Sequence, residues 1–517
     1  MEFTTPTLEN NADRFYKREI IMKKITAAIL TLLTVLCVCS CAAAPPSTTT
    51  AVTETEADTE TAEVTAAETV DEGYVADLPS ERFEGEYNIL IEGTFWSPAE
   101  SLYYEEASDD AVLDAVWQRQ TQIQEQFGTK IMLTPETDTT SVLRRSVKSG
   151  DAAYDAVITR MPLIATSASN GDLMDLKEAE GLDLSKKYWD QSANAAFSIG
   201  GKVFCTGGDI INTDDEVTWI MMFNKKLAKN YDLEDLYTVV KEGRWTFDYF
   251  YKLLKETGAS KENGDGKWDY MDSYALSTHR DMAYGLFYAA GLTFIVKDAD
   301  DLPVLNSAEN EKIQQVLDYS LKVMREDNLT LDAHKWVSAH PHATDLTYEA
   351  FTEDRALFYA EVLYYVPQLR TMDTDFGILP MPKYDEKQKD YICFVNPAAS
   401  LVGIPVYQKA KENAKKSGTI LEALAYYGYK YLTPAYIEKQ VKGKSTRDVE
   451  SIEMIDLIMK NRSYDLELIH DWGSLASSYS DLVFNNKNNY ASVFKKCSTS
   501  AEKRINNYLK TIEKNLL

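Results

Sequence analysis

Short apolar runs alternate with longer amphipathic segments in the first third of the chain. The runs at 87–91 (YNILI), 129–134 (TKIMLT) and 154–159 (YDAVIT) are compact and apolar, which is typical of buried β-strands. The segments at 109–128 and 140–150 place apolar residues at helical spacing, and aspartates precede the first of them while a glycine ends it. Strands and helices that alternate with short connections predict a parallel α/β layer.

Sheets of this kind bind ligands at the carboxyl ends of their strands. The loops at 93–96 and 160–162 follow the first and third predicted strands, so they lie on that edge. Trp96 and Arg160 in these loops are therefore candidate ligand contacts. Packing in the core is the alternative for Trp96, and Arg160 either grips a ligand or only orders its surroundings.

The N-terminal region carries a different apolar pattern. Residues 22–41 (MKKITAAILTLLTVLCVCSC) combine two lysines with an apolar run at 25–38, as in a secretory signal peptide. The run is shorter than the ~20 residues of a membrane-spanning helix. The final VCSC resembles the bacterial lipobox, which implies that Cys41 is acylated and begins the mature chain; an ordinary signal peptide or an uncleaved anchor is the alternative. Residues 1–21 precede a better start at Met22 and are predicted to be an upstream extension.

The segment that follows, 42–84, is rich in Thr, Ala and Glu and has almost no large apolar residues. Such a composition cannot bury enough surface to offset the entropy of ordering, so we expect a disordered acidic tether. Together with a lipid on Cys41, the tether predicts a body held at the outer face of the bacterial cytoplasmic membrane.

Charge and cysteine usage exclude several classes of protein. The formal net charge is −27 at pH 7, which argues against nucleic acid and against docking on anionic lipid through basic patches. Three cysteines remain in the mature body: Cys205, Cys393 and Cys497. They are far apart and odd in number, so we expect buried free thiols instead of a disulfide scaffold.

Eight segments of the body, taken in their order along the chain, are informative about its family: SGDAAYDAVITRM, GKVFCTGGDI, WIMMFNKKLAKNY, VKEGRWTFDYF, FTEDRALFYAEVLYYVPQL, DFGILPMPKYDE, FVNPAASLVGIP and VKGKSTRDVESIEMIDLI. This order resembles the extracellular solute-binding proteins of bacterial ABC importers, in the group that includes sugar and oligosaccharide binders. The resemblance implies a periplasmic-binding-protein-like α/β fold, with two lobes joined by hinge segments and a ligand cleft between them. It also implies a monomer without enzymatic activity or required cofactor, which delivers its solute to the transmembrane subunits of a permease.

The chain of such proteins crosses between the lobes more than once. Glycines and short polar residues allow a bend at 207–214, and further crossings are predicted at 394–397 and 442–444. The predicted organisation is 1–41 extension and signal peptide, 42–84 tether, 85–206 with 397–440 lobe one, and 207–396 with 441–517 lobe two.

Aromatic residues are abundant, since the chain has 32 Tyr and 8 Trp. Their flat apolar faces and polar tips suit the C–H faces and hydroxyl groups of a sugar. Tyr364 and Tyr365 follow a passage that, by the resemblance, leads into the pocket, and Glu361 beside them is a candidate acceptor for a ligand hydroxyl. Trp472 is a cleft candidate against simple packing. Asp209, at the first crossing, either grips ligand or only orders the hinge.

The segment KENGDGKWDYMD at 261–272 resembles part of a calcium loop. Its candidate oxygen ligands are Asn263, Asp265, Asp269 and Asp272. Lys261 stands where such a loop has its first carboxylate, so a plain Asn-Gly-Asp-Gly turn is the alternative that we favour over a structural Ca²⁺ site.

A histidine cluster raises the question of zinc. His334, His340 and His342 lie close in sequence with Asp345, but Pro341 breaks any helical spacing between them. Zinc-importer binding proteins do not resemble the rest of the chain, so we expect a loop with incidental histidines.

The sequence as a whole predicts a membrane-tethered lipoprotein that captures an extracellular sugar or oligosaccharide and delivers it to an ABC permease by lobe closure. One alternative is a surface glycosidase, which needs a carboxylate pair that no spacing in the sequence fixes. Another is a carbohydrate-binding lipoprotein that serves sensing or adhesion.

Overall fold

The strands of the protein form two main sheets. The computed structural model describes residues 74–258, 266–326, 328–340, 342–407, 411–443, 445–446 and 448–514. The strands are β1 (Glu86–Ile91), β2 (Lys130–Pro135), β3 (Ala156–Arg160), β4 (Trp219–Asn224), β5 (Tyr274–Thr278), β6 (Ile295–Lys297), β7 (Pro303–Leu305), β8 (Thr330–Asp332), β9 (Ala356–Val362), β10 (Phe376–Leu379), β11 (Cys393–Phe394), β12 (Ser400–Gly403) and β13 (Arg462–Ser463).

Helices cover both sheets and occupy much of the chain between strands. They are α1 (Ala111–Phe127), α2 (Thr139–Ser149), α3 (Met161–Ser169), α4 (Gln191–Phe197), α5 (Thr213–Glu216), α6 (Lys225–Asn230), α7 (Leu236–Lys241), α8 (Phe247–Thr257), α9 (Met282–Ala289), α10 (Asn310–Arg325), α11 (Ala343–Thr352), α12 (Lys411–Tyr427), α13 (Val449–Lys460), α14 (Leu466–His470), α15 (Leu475–Phe484) and α16 (Tyr490–Lys514). Two π-helical segments, Gly428–Leu432 and Pro434–Gly443, continue α12.

The first sheet has four strands in the order β12-β3-β1-β2. β1 pairs in parallel with β2 and β3, and β12 adds to β3 in the antiparallel direction. The helix between β1 and β2 begins where Asp110 accepts hydrogen bonds from two backbone amides, and it ends at Gly128 in the left-handed conformation. These elements confirm the parallel α/β layer that the hydrophobic pattern predicts.

The second sheet has five strands in the order β10-β4-β9-β5-β8. β5 pairs in parallel with β8 and β9, whereas β4 pairs antiparallel with β9 and β10. Its core includes Trp245, whose ring contacts Phe250 and lies near Phe358 of β9. The indole N–H of Trp245 donates to the Pro380 carbonyl at 2.9 Å, which satisfies its one polar group.

Three stretches of chain lie side by side between the two sheets. The backbone of Thr218, just before β4, pairs with Val395, and β11 pairs in parallel with β13. The chain thus passes from β3 of the first sheet to β4 of the second, and returns between β10 and β12. The π-helical segments contact α1 beside the first sheet, whereas α13 packs on β10 of the second. The lobe boundaries given above stay a prediction.

The described chain begins on the body itself. Tyr74 lies against Tyr188, Tyr426 and Tyr429, and the Phe83 amide donates to the Phe127 carbonyl at 2.9 Å. The end of the segment assigned to the tether, 74–84, therefore packs on the body beside α1, because it carries large apolar side chains that the preceding residues lack. Cys41 and most of the tether lie outside the described residues.

The three cysteines of the body are free and buried, as predicted. Within the described ranges, no helix is long and apolar enough to cross a membrane.

Candidate ligand-binding cleft

Aromatic side chains from the carboxyl ends of two strands, one in each sheet, meet in a single cluster. Phe95 and Trp96 lie in the loop after β1, and Tyr364 lies in the 3₁₀ turn that follows β9. Ring centroids are 5.5 Å apart for Trp96 and Tyr364, 5.4 Å for Phe95 and Tyr364, and 4.8 Å for Phe95 and Trp96, all edge to face. We call these three residues the ring cluster. All three are partly exposed.

Tyr365 continues the aromatic surface into the second sheet. Its ring lies 5.6 Å from that of Tyr364 and 6.1 Å from that of Tyr348 on α11. Burial raises the pKa of the Tyr365 hydroxyl, and the nearby Glu361 carboxylate raises it further. The hydroxyl therefore stays protonated and serves as a hydrogen-bond donor.

A buried ion pair supports the cluster on the side of the first sheet. Glu92, directly after β1, accepts from Arg160 Nε at 2.7 Å, from the Arg160 amide at 3.1 Å and from the Thr159 hydroxyl at 3.1 Å. The Arg160 side chain is only partly buried, so the guanidinium reaches the edge of the sheet with its charge balanced by Glu92. Arg160 was a candidate from its position in the sequence, whereas its partner Glu92 was not.

A second ion pair lies at the corresponding place in the other sheet. The Glu361 carboxylate, at the end of β9, lies 2.9 Å from His279 Nε2, and both side chains are buried. Burial opposes the charged form of His279, but the Glu361 carboxylate outweighs it and raises the pKa of His279 to about 9. Glu361 therefore neutralises a histidine, and its second oxygen accepts the Val362 amide at 2.9 Å.

Hydroxyl groups around the cluster lack hydrogen-bond partners. The Thr94 and Ser97 hydroxyls, on either side of Phe95 and Trp96, and the Tyr436 hydroxyl are buried and unbonded within the described part of the protein. Burial raises the pKa of the Tyr436 hydroxyl, with contributions from Glu216, Asp215 and Tyr364, which places Tyr436 beside the cluster. Buried polar groups normally have a partner, so these three hydroxyls fit a ligand that brings its own hydrogen-bonding groups.

Asp209 lies at the first crossing and not in the ring cluster. Its carboxylate accepts from the Thr433 hydroxyl at 2.5 Å, and burial raises its pKa to about 7. The backbone is tightly packed here, because a Cβ on Gly428 would lie 1.6 Å from the Asp209 carbonyl oxygen. These contacts favour the alternative in which Asp209 orders the hinge.

A larger polar network, which was not predicted from the sequence, lies beside Asp209. The Arg462 guanidinium, at β13, donates to Asp215 at 2.5 Å, Asp214 at 3.2 Å and Asp190 at 2.7 Å. The Tyr464 hydroxyl also donates to Asp190, at 2.8 Å. Arg462, on one of the chain stretches between the sheets, thus joins Asp214 and Asp215 of a second stretch to Asp190 at the start of α4. The signal in the sequence was the acidic run TDDE at 213–216, directly after the predicted crossing.

Trp472 lies in packed surroundings. Its ring stacks on His470 at 4.3 Å and lies 5.7 Å from that of Tyr508, and only 3% of the residue is exposed. This position argues against contact between Trp472 and a ligand and favours simple packing, the alternative for this residue.

The segment predicted to resemble a calcium loop is described only in part, because Asn263 and Asp265 lie outside the described residues. Asp269 and Asp272 form a turn, in which the Asp269 amide donates to the Asp272 carboxylate at 2.8 Å. Across the residues with described positions, no group of three or more His, Cys, Asp or Glu side chains could hold a metal ion. The ring centroid of His334 lies 5.8 Å from that of His279, whereas the ring of His340 contacts the ring of Tyr270.

Comparison with known proteins shows which folds this architecture resembles. No curated protein matches the chain. Among solved structures, a sugar transporter from Rhizobium etli in an open conformation is similar at a TM-score of 0.53 and 11% identity, covering 81% of this chain and 99% of the other. The galacto-N-biose-/lacto-N-biose I-binding protein of the ABC transporter from Bifidobacterium longum, in complex with lacto-N-biose, is similar at 0.52 and 13%, covering 82% and 98%.

UspC from M. tuberculosis is similar at a TM-score of 0.52 and 11% identity, covering 81% of this chain and 100% of the other. At such identities the likeness shows the fold, and it confirms the predicted two-lobed α/β class. The family model described as bacterial extracellular solute-binding protein matches residues 106–417, more than half of the chain. The chain therefore belongs to the bacterial extracellular solute-binding protein family.

Proposed function

We propose that the protein binds a carbohydrate between its two lobes and presents it to an ABC permease. The ring cluster carries this proposal, because Trp96 and Phe95 come from the edge of one sheet and Tyr364 from the edge of the other. A ligand among these rings touches both lobes at once.

The chemistry around the cluster suits a neutral, polyhydroxylated ligand. Aromatic faces contact the C–H faces of sugar rings, and the hydroxyls of Thr94, Ser97 and Tyr436 offer hydrogen bonds. The charged groups nearby are balanced, since Arg160 pairs with Glu92 and His279 pairs with Glu361. These two pairs therefore add no net charge that would favour an ionic solute. One protein of similar fold was solved with lacto-N-biose, which agrees with a sugar.

Lobe closure follows from this arrangement. A ligand that contacts both lobes binds the closed form more tightly than the open form, and this difference in affinity shifts the population towards closure. The three chain stretches between the sheets are the hinge in this proposal, and the Arg462 network holds two of them together. The permease then recognises the closed form.

The remaining parts of the proposal concern location and partners. A lipid on Cys41 and the acidic segment after it tether a monomeric body to the outer face of the membrane. Chemistry on the solute is left to other proteins, so the chain acts as a binding protein and not as an enzyme.

A thermal-shift screen over a panel of mono- and oligosaccharides tests the binding step. A sugar at 100 times its Kd raises the free energy of unfolding by about 2.7 kcal/mol, which gives a clear rise in Tm. Calorimetric titration of the best sugar then gives the affinity. A peptide or sugar-phosphate panel serves as the control.

Three results would contradict the proposal. If only peptides stabilised the protein, a carbohydrate would be excluded as its ligand. Release of reducing sugar by the purified protein would favour the glycosidase alternative. Sugar binding without any uptake by a reconstituted permease would favour sensing or adhesion.

A further inference from the structure

A groove separate from the ring cluster runs along the outer edge of the first sheet. It has a volume of about 540 Å³ and lies between the loop at 99–106 and the first four residues of β2. β2 is the last strand of the sheet order, so its outer side has no neighbouring strand. The groove is therefore a strand edge faced by a loop.

The register of β2 determines which peptide groups face the groove. The Lys130 amide donates to the Gly85 carbonyl at 2.8 Å, and the Glu136 amide donates to the Ile91 carbonyl at 2.8 Å. Even-numbered residues of this stretch therefore bond to β1. Because N–H and C=O groups alternate in direction along a strand, Ile131 and Leu133 point theirs away from β1, into the groove.

The open edge is short. Pro135 ends it, because proline has no N–H to donate, and Lys130 begins it with a charged side chain. Both are residue types by which edge strands limit pairing, so the edge accepts a partner of only a few residues, opposite Ile131 and Leu133.

The wall opposite the strand is acidic and aromatic. Glu100, Glu105 and Glu106 line it together with Tyr103 and Tyr104, and all three carboxylates are exposed. Among the described residues, neither Glu105 nor Glu106 has a hydrogen-bond or ion-pair partner. The three carboxylates outnumber the one cation that lines the groove, Lys130.

We propose that this groove docks a short, basic, extended segment of a partner protein, which adds to β2 as a further strand. Backbone hydrogen bonds to Ile131 and Leu133 provide the pairing, and the carboxylates of Glu105 and Glu106 select lysine or arginine side chains. The proposal does not depend on which solute the cleft binds.

Charge argues against two occupants, the acidic segment 42–73 and a second copy of the chain. Residues 42–73 carry glutamates and aspartates but no lysine or arginine, so the acidic wall repels them. A second copy of the chain, with its net charge of −27, is disfavoured for the same reason. A partner with local positive charge remains.

The test measures fluorescence anisotropy of a labelled, acetylated Lys-Val-Lys-Thr-Lys-Val peptide with the protein at low salt. A Glu-Val-Glu-Thr-Glu-Val peptide is the charge control. Two N-methylated forms of the basic peptide, one blocked at the lysines and one at the residues between them, each remove the donors from one edge of the peptide. A peptide strand that adds to β2 uses the N–H groups of only one of its edges. The form methylated on that edge therefore loses binding, and the form methylated on the other edge keeps it.

The protein variant Glu105→Gln/Glu106→Gln removes two carboxylates without changing size. It weakens binding of the basic peptide roughly tenfold at low salt. Glu309→Gln/Glu311→Gln, an equal charge change at exposed residues beside α10, leaves binding unchanged. Absence of binding, equal binding of the acidic peptide, equal binding of both methylated forms, or no effect of the Glu105/Glu106 variant would each overturn the proposal.

Discussion

The ring of Trp96 lies edge to face against the ring of Tyr364, although the two residues are far apart in sequence and follow strands of different sheets. The contact joins the carboxyl edge of β1 to that of β9. A ligand that separates or covers these rings acts on both lobes, so substitutions at these two residues test the proposed function most directly.

We expect Trp96→Ala and Tyr364→Ala each to weaken binding of the sugar found by the screen by about tenfold or more, since loss of a stacked ring costs about 1–3 kcal/mol. Both side chains are partly exposed, so the Tm without ligand should change little. Calorimetric titration and melting curves of each variant provide the measurement.

Trp472→Ala is the matched control for these two variants. Trp472 is buried against His470 and Tyr508, and removal of a core aromatic costs about 3–5 kcal/mol. It should lower the Tm strongly and leave the sugar affinity of the folded fraction unchanged. The reverse pattern, in which Trp472→Ala loses affinity but keeps its Tm, would place the ligand elsewhere.

The sequence was informative where local patterns decide the structure. Hydrophobic runs predicted β1, β2 and β3, and the position after a strand end made Trp96 a candidate ligand contact. The family resemblance pointed to Tyr364. The contact between Trp96 and Tyr364 could not be predicted from local patterns, because the approach of two sheets depends on how the connecting stretches pack.

The polar supports of the site escaped prediction for a related reason. Glu92 and His279 are polar residues at strand ends, and nothing in their neighbourhood in sequence shows that one will meet Arg160 and the other Glu361. The burial of Trp472 likewise could not be predicted from its local sequence. Its ring is buried, and it packs against His470 and against Tyr508 of α16.

Glu361→Gln should destabilise the protein by about 3–5 kcal/mol at pH 7, because it leaves His279 buried without its counter-ion. The folded-state pKa of His279, about 9, lies above the ordinary histidine pKa of 6.5, so the stability from this pair is fully present below pH 6.5 and is lost as pH rises through 9. The difference between wild type and variant should therefore shrink at pH 10. Urea unfolding at both pH values gives the free energies.

The exposed carboxylate Glu349, on the same helix as Tyr348, supplies a control for this variant. Glu349→Gln should change the free energy of unfolding by less than about 0.5 kcal/mol at either pH. A histidine titration by NMR that leaves the pKa of His279 unchanged in Glu361→Gln would contradict the ion pair as the cause.

Asp209→Asn should make stability less dependent on pH. The pKa of Asp209 is raised by burial from 3.8 to about 7, so its contribution is fully present below pH 3.8 and is lost as pH rises through 7. Between pH 5 and 7 the wild type should lose up to about 1.4 kcal/mol per pH unit relative to the variant. Asparagine keeps an oxygen that accepts from Thr433, so the fold should persist.

The same variant separates the two roles considered for Asp209. Unchanged sugar affinity assigns it to the hinge, whereas a loss of affinity at constant stability assigns it to the ligand. Asp373→Asn, at an exposed position, should leave the pH dependence of unfolding unaltered. If the free energies of unfolding of the wild type and of Asp209→Asn rose together from pH 5 to 7, Asp209 would not be a buried acid with a raised pKa.

Cys41→Ala should release the protein from the membrane, because acylation at this position is the proposed anchor. Cys39→Ala provides the matched control, because Cys39 belongs to the same VCSC motif, two residues before Cys41, and is the other cysteine of the motif that could carry the lipid. It should remain in the membrane fraction and incorporate labelled palmitate as the wild type does. Fractionation, together with mass spectrometry of the mature N-terminus, distinguishes the two. Membrane retention of Cys41→Ala at the wild-type level would refute the lipobox interpretation, and loss of the label in Cys39→Ala alone would move the lipid to the earlier cysteine.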